Sequence, residues 1–231
     1  MRFFKGAGAI AIDGPAGSGK STVSRLVAEK LGYVHIDTGA MYRALTLKVM
    51  KKGIDLTSEK ETTALSADID IEFLPSDEKG AAARVIMDGE DVSEAIRSME
   101  ITGNVKYVAR IAEVRKNLVD LQRKMAGDAG CAVMEGRDIG TVVLPHARHK
   151  IYLDASFEER ITRRFAELRA KGSPVTLSEV EEDLKQRDHT DKTRKEGPLM
   201  KAGDAVLIDT TGLTIDQVVS SIIERVREHK A

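Results

Sequence analysis

Eight consecutive residues, Gly14-Pro15-Ala16-Gly17-Ser18-Gly19-Lys20-Ser21, match the pattern G-x-x-x-x-G-K-[ST] and follow an apolar run, Ala9-Ile10-Ala11-Ile12. The chemistry of that pattern is phosphate binding. Glycines let successive backbone N–H groups curl around phosphate oxygens, the lysine reaches the β- and γ-phosphates, and the serine hydroxyl ligates Mg2+. Thr22 follows directly and is counted with the same nucleotide site. A glycine-rich turn that merely joins a strand to a helix is the plainer alternative, disfavoured because the flanking strand and helix are both legible. The loop specifies a nucleoside triphosphate and leaves kinase, GTPase and ATPase open.

Two later apolar runs also end in polar clusters. Asp37-Thr38-Gly39-Ala40-Met41-Tyr42-Arg43 follows residues 34–36, and Glu135-Gly136-Arg137-Asp138-Ile139-Gly140-Thr141 follows residues 131–134. In open α/β sheets ligands lie beyond the carboxyl ends of the strands, so both clusters face the crevice of the phosphate loop. Thr38 could be an ordinary N-cap and Tyr42 a core residue, whereas Arg43, one turn into its helix, has no such simple structural use. Arg137 and Asp138 could form a surface ion pair of little worth, but their place beside the crevice favours ligand contact.

Arginines concentrate further along the chain. Ser156 and Glu159 have the spacing of a capping box, and Arg160, Arg163 and Arg164 follow on the same helix. After Gly172-Ser173-Pro174 a second helix carries Arg187-Asp188-His189-Thr190-Asp191-Lys192-Thr193-Arg194, where Arg187 and Asp191 stand four apart and could simply support the helix. Beside a phosphate loop, arginines on a mobile helical pair have a second use. They close over phosphates and neutralise charge that develops in the transition state.

The elements that must position these residues are legible as alternating patterns. Strand-like runs at 9–12, 34–36, 131–134, 151–153 and 206–208 are each separated by amphipathic segments, which predicts a parallel sheet covered by helices on both faces. One helix spans 20–31, with Val23, Leu26, Val27 and Leu31 on a stripe, and ends at Gly32; another spans about 39–52 and ends at Gly53. Two period-two segments, 69–73 and 84–87, with turn chemistry at 76–80, predict an antiparallel hairpin inserted in the parallel fold. A single long helix is expected over 98–126.

At 231 residues with a formal net charge of −1, the chain can bury one substantial core and lacks the cationic field that binds nucleic-acid backbones. Its lone cysteine, Cys131, reads as a small core residue in a reducing compartment. Arg2 and Lys5 precede an apolar run at 7–12, which Asp13 interrupts too early for a secretory segment or a membrane span. The expectation is a cytoplasmic protein with no membrane partner.

With these segments assembled, the chain resembles the bacterial-type cytidylate kinases of the nucleoside-monophosphate kinase family. The match runs over nearly the whole length: the phosphate loop with its preceding Ile12-Asp13, Asp37 through Arg43, Gly89-Glu90-Asp91-Val92-Ser93, Glu135 through Thr141, and Arg187 through Arg194. The resemblance implies an α/β fold with a five-stranded parallel sheet, helices on both faces, an α/β monophosphate-binding insert and a short helical lid. It implies one domain, 1–231, divided into a core (1–53, 98–165 and 178–231), the insert (about 54–97) and the lid (about 166–177). The implied activity is transfer of the γ-phosphoryl group of ATP to CMP or dCMP, with Mg2+, by a monomer. ATP would lie on Gly14, Pro15, Ala16, Gly17, Ser18, Gly19, Lys20, Ser21, Thr22, Arg160 and Arg164, with Ser21 toward the metal. CMP would lie on Thr38, Tyr42, Arg43, Arg115, Arg137, Asp138, Arg187 and Asp191, and Lys20, Arg137, Arg187 and Arg194 would serve catalysis. Thr38 and Asp191 would hold the ribose, and Arg115 and Asp138 would read the cytosine. Lys106 stands where relatives often carry a small hydroxyl residue.

A carboxylate and a guanidinium suit cytosine, which offers an N4 amino donor beside the N3 and O2 acceptors, and disfavour uracil with its carbonyl at C4. Two rivals remain. A GTPase-type switch would use Asp209-Thr210-Thr211-Gly212, but that element arrives with one helix left and without an N-K-x-D motif; it reads better as the end of the last strand with a turn near the adenine. A kinase for a small sugar acid would not need so many arginines.

Overall fold

The computed structural model describes residues 8–76 and 81–228. Its centre is a five-stranded parallel sheet of β1 (Ala9–Asp13), β2 (Val34–Asp37), β6 (Ala132–Gly136), β7 (His149–Asp154) and β8 (Val206–Asp209), in the order β2-β6-β1-β7-β8. β1 lies in the middle, with Ala11 opposite Met134 on one side and Lys150 on the other. Alternation along β1 sorts its side chains between two cores, as the period of two in a strand requires. Ala9 and Ala11 join Ile36, Met134 and residues of α2 (Thr38–Lys51), α4 (Met99–Ala109) and α5 (Ala112–Ala129) on one face. Ile10 and Ile12 join Val23, Val27 and Ile222 of α1 (Lys20–Leu31) and α8 (Ile215–Glu228) on the other.

α1 ends at Gly32, whose φ of 68° lets its N–H reach back to the carbonyls of Ala28 and Glu29. The expected hairpin sits in a three-stranded antiparallel sheet of β3 (Ile71–Leu74), β4 (Arg84–Met87) and a further strand, β5 (Glu90–Asp91). The expected turn at 76–80 lies outside the described residues from Asp77 on, as do Arg2 and Lys5. This sheet and α3 (Glu59–Ala67) share the core beneath α2 and α5 through Ile71, Val85 and Met87 of the sheet and Leu65 of the helix. α6 (Phe157–Ala170) and α7 (Leu177–Thr193) form a helical pair with its own small core of Ile161, Leu168, Val180 and Leu184. No helix among the described residues is long and apolar enough to cross a membrane.

Three expectations need correction here. The helix over 98–126 is two helices, because Ile111 takes extended backbone (ψ 118°) and buries its side chain in the core beneath α5, so the chain turns between α4 and α5. Cys131 is exposed, since it precedes β6 rather than lying in it. Ser156 caps α6 by accepting from the Glu159 N–H, but the Glu159 carboxylate turns to Arg163; the reciprocal box forms instead at Thr176 and Glu179 of α7.

Candidate active site

The loop between β1 and α1 has the geometry of an anion cradle. Gly17 and Gly19 adopt φ of 79° and 87°, and no side chain caps the N-terminus of α1, so its first N–H groups remain open to a ligand. Lys20 folds over this loop and donates to the Pro15 carbonyl (2.6 Å) and to Ser18 Oγ (3.3 Å). Burial, and then the neighbouring Arg137 guanidinium, bring the Lys20 ammonium down to about 7. An anionic ligand would reverse that shift.

Glu135 stands across from the loop at the end of β6 and is 3% exposed. Its Oε2 accepts from Ser21 Oγ at 2.9 Å, while its backbone carbonyl accepts from Thr38 Oγ1 at 2.7 Å. A hydroxyl and a carboxylate, both hard oxygen donors, thus meet beside the phosphate cradle. That donor set fits Mg2+, which takes one or two carboxylates and completes its shell with phosphate and water. Reasoning from sequence gave Glu135 no role. The available signal was its place at a strand's carboxyl end one strand away from the loop, next in the sheet to β1.

The backbone then leaves β6 in a π-helical turn, Ile139–Val143, pinned by Asp13, whose carboxylate accepts from the N–H groups of Ile139 and Gly140 at 2.8 and 2.7 Å. Burial lifts the Asp13 carboxyl to about 6 against those two bonds. This anchoring sends Arg137 and Asp138 in different directions, so they do not form the surface pair that the sequence left open. Arg137 donates through Nε to Asp191 Oδ2 at 2.7 Å, and Asp138 pairs with Arg115 in a buried contact. Burial raises the Asp191 carboxyl, but Arg137 and then Arg194 more than offset it and hold it below the ordinary range.

Around Asp138 the structure gathers the base-reading candidates. The Arg115 guanidinium lies 5.3 Å from the ring centroid of Tyr42, which is buried. Arg194, at the carboxyl end of α7, lies 3.8 Å from Asp138 Oδ1 and 3.6 Å from Asp191 Oδ1. It links the Arg115–Asp138 cluster to the Arg137–Asp191 cluster. Lys106 points elsewhere, with its ammonium 5.3 Å from the Tyr107 ring centroid.

The remaining candidate arginines each rest on a carboxylate. Arg43 donates to Asp37 at 2.9 Å, and Asp37, not Thr38, caps α2 by accepting from the Ala40 N–H. Arg187 pairs with Asp183 rather than with Asp191, which Arg137 has taken. Arg164 donates to Glu167 at 2.8 Å, and Thr22 is exposed on the first turn of α1. Arg160 is buried and holds Asp188 with both terminal nitrogens (3.1 and 2.7 Å) while donating to the Ala16 carbonyl, so it ties the phosphate loop to α6 and α7. Arg163, given no role of its own from the sequence, donates to Thr210 Oγ1 and to its carbonyl; the Thr210 hydroxyl, with one proton to give, lies 3.0 Å from the Asp154 carbonyl and 3.4 Å from that of Ser18. The end of β8 is thereby fastened to the phosphate loop.

The family model for cytidylate kinase matches residues 10–228. A cytidylate kinase of Alkaliphilus oremlandii is 51% identical over 214 residues, covering 93% of this chain and 95% of its own. One of Desulfitobacterium hafniense is 50% identical over 214 residues, covering 93% and 90%. An uncharacterized protein from Eubacterium ventriosum aligns in structure with a TM-score of 0.52 at 14% identity, over 95% of this chain and 98% of that one, a likeness of fold alone.

Proposed function

The chain belongs to the cytidylate kinase family, which transfers the γ-phosphoryl group of ATP to CMP or dCMP, and from that premise we propose how its residues divide the work. The open N-terminus of α1, the loop N–H groups and Lys20 hold the donor phosphates, with Ser18, Gly19 and Thr22 in the same cradle. Ser21 and Glu135 would hold Mg2+, which when bound neutralises charge on the donor phosphates. Arg164 approaches the donor from α6, and Arg160 positions the loop through Ala16.

The acceptor occupies the other half of the crevice. Asp138 accepts from the cytosine N4 amino group and Arg115 donates to its acceptors, with Tyr42 stacked behind the guanidinium. Thr38 and Asp191 hold the ribose, and Arg43, Arg137, Arg187 and Arg194 surround the two phosphate groups that must approach each other. The observation that carries this reading is the burial of Asp138 with Arg115 while Arg194 connects them to Arg137 and Asp191. One polar cluster can thus read a base while the next holds its phosphate. The carboxylates Asp37, Asp138, Asp183 and Asp191 pair with these arginines and keep so dense a set of cations from repelling one another.

The acceptor oxygen needs no strong base from the protein. A phosphomonoester has a second pKa of about 6 and is largely ionised near neutral pH. What the protein supplies is alignment, charge compensation and exclusion of water as the lid, residues 166–177 at the junction of α6 and α7, closes. We further propose a cytoplasmic monomer that binds neither nucleic acid nor membrane, consistent with the net charge of −1. Purified protein with ATP and Mg2+ should release ADP rapidly with CMP or dCMP, poorly with UMP, and hardly at all with AMP or GMP. Turnover indifferent to CMP would refute the assignment of the acceptor site.

A further inference from the structure

We infer that His35 is a positioning residue for the phosphoryl-transfer site: it holds the Glu135 carboxylate in the orientation that faces Ser21, an inference that rests on the assignment of Ser21 and Glu135 to Mg2+. His35 lies in β2, the edge strand beside β6. Its Nε2 is 3.0 Å from Glu135 Oε1, while Oε2 of the same carboxylate accepts from Ser21 Oγ at 2.9 Å. An ionised carboxylate only accepts, so this contact places a proton on Nε2. The last torsion of a glutamate side chain is broad, and one partner would leave it free to turn. Two partners, one on each oxygen, fix it.

The surroundings make the histidine hard to replace. Glu135 is 3% exposed, so bulk water cannot take over the bond to Oε1. Asp37, two residues on and on the same face of β2, is already held by the Ala40 N–H and by Arg43, so the loss of His35 falls chiefly on Glu135. By donating its own proton to Oε2, Ser21 keeps its lone pairs available toward the phosphate loop. Outer partners of this kind set both the orientation and the basicity of a metal-holding carboxylate.

The test compares His35→Leu with His35→Gln, whose side-chain amide can reach from where Nε2 stood. The free Mg2+ giving half-maximal rate should rise about tenfold in H35L, at the lower end of what losing such a partner costs, with KM for CMP unchanged within about twofold. H35Q should recover most of the difference. A second reading avoids turnover: the gain in melting temperature from MgADP over ADP alone should shrink in H35L and return in H35Q. An unchanged Mg2+ requirement in H35L, an equal rise in KM for CMP, or an H35Q that fails as H35L does would each overturn the inference. Glu135→Gln separates the two levels. If E135Q shifts the Mg2+ requirement and H35L does not, the role of His35 falls alone; if neither shifts it, the metal assignment falls as well. Should H35L not fold, H35N, whose amide stops short of Glu135, must show the same rise.

Discussion

Replacing Asp138 by Asn keeps the shape of the side chain and removes its charge, at a position that is 5% exposed and paired with Arg115. A hydrogen bond to a charged group contributes about 1.5–3 kcal/mol and one between neutral groups about 0.5–1.5, so the contact to the cytosine N4 amino group weakens by about 1–1.5 kcal/mol. The new amide can also donate to the C4 carbonyl of uracil, which the carboxylate repels, and this gain is of similar size. Together the two changes come to about 2–3 kcal/mol, or a fall of roughly 30- to 150-fold in the ratio of kcat/KM for CMP over UMP. A competing effect acts on stability. Breaking a buried ion pair by removing one partner costs about 3–5 kcal/mol, less here because Asn still accepts from Arg115. That cost burdens both substrates alike, so the ratio isolates base reading from folding. Initial rates of ADP release across both nucleotides give the ratio directly. If kcat/KM fell equally for CMP and UMP, Asp138 would be a structural partner of Arg115 and the reasoning about the base would be wrong.

Three further predictions follow from the same geometry. Burial brings the Lys20 ammonium down to about 7 and donor phosphates would recharge it, so ATP binding at pH 8 should take up most of a proton in calorimetric titrations across buffers; K20R, always charged, should take up none, and equal uptake in both would refute the account. The Asp13 carboxyl sits at about 6 in the folded protein against 3.8 ordinarily. Between those values the folded state binds the extra proton, so Asp13 lowers stability as pH rises through that window. Asn at position 13 should therefore make the slope of unfolding free energy from pH 4 to 6 more positive, and an unchanged slope would contradict the shift. Met at position 160 leaves Asp188 poorly exposed and unpaired, and urea denaturation should show a loss of about 3–5 kcal/mol; the R160M/D188L pair should lose less than the sum of the single changes.

The centre of the sheet was legible because β1 and β6 are buried on both faces and so begin as unbroken apolar runs. The break at Ile111 was not, because helical spacing continues through it and no Ser, Asp or Asn marks the new N-cap. In the site, residue types alone pointed to the arginines, but their partners lay far off in sequence. Asp191 is 54 residues from Arg137, and that tertiary bond defeats the local pairing of Arg187 with Asp191. Glu135 was hidden for the same reason. A carboxylate at a strand end reads as surface until it is seen buried and hydrogen-bonded to Ser21, 114 residues away.

The central claim, that one crevice holds a triphosphate donor and a cytidine monophosphate acceptor in line, is tested most directly by following the label from γ-labelled ATP in the presence of CMP. The account predicts that the label appears in the β-phosphate of CDP, with one CDP formed for each ADP, and that release of ADP nearly ceases without CMP. ADP formation that runs ahead of CDP, with the label in free phosphate, would contradict it.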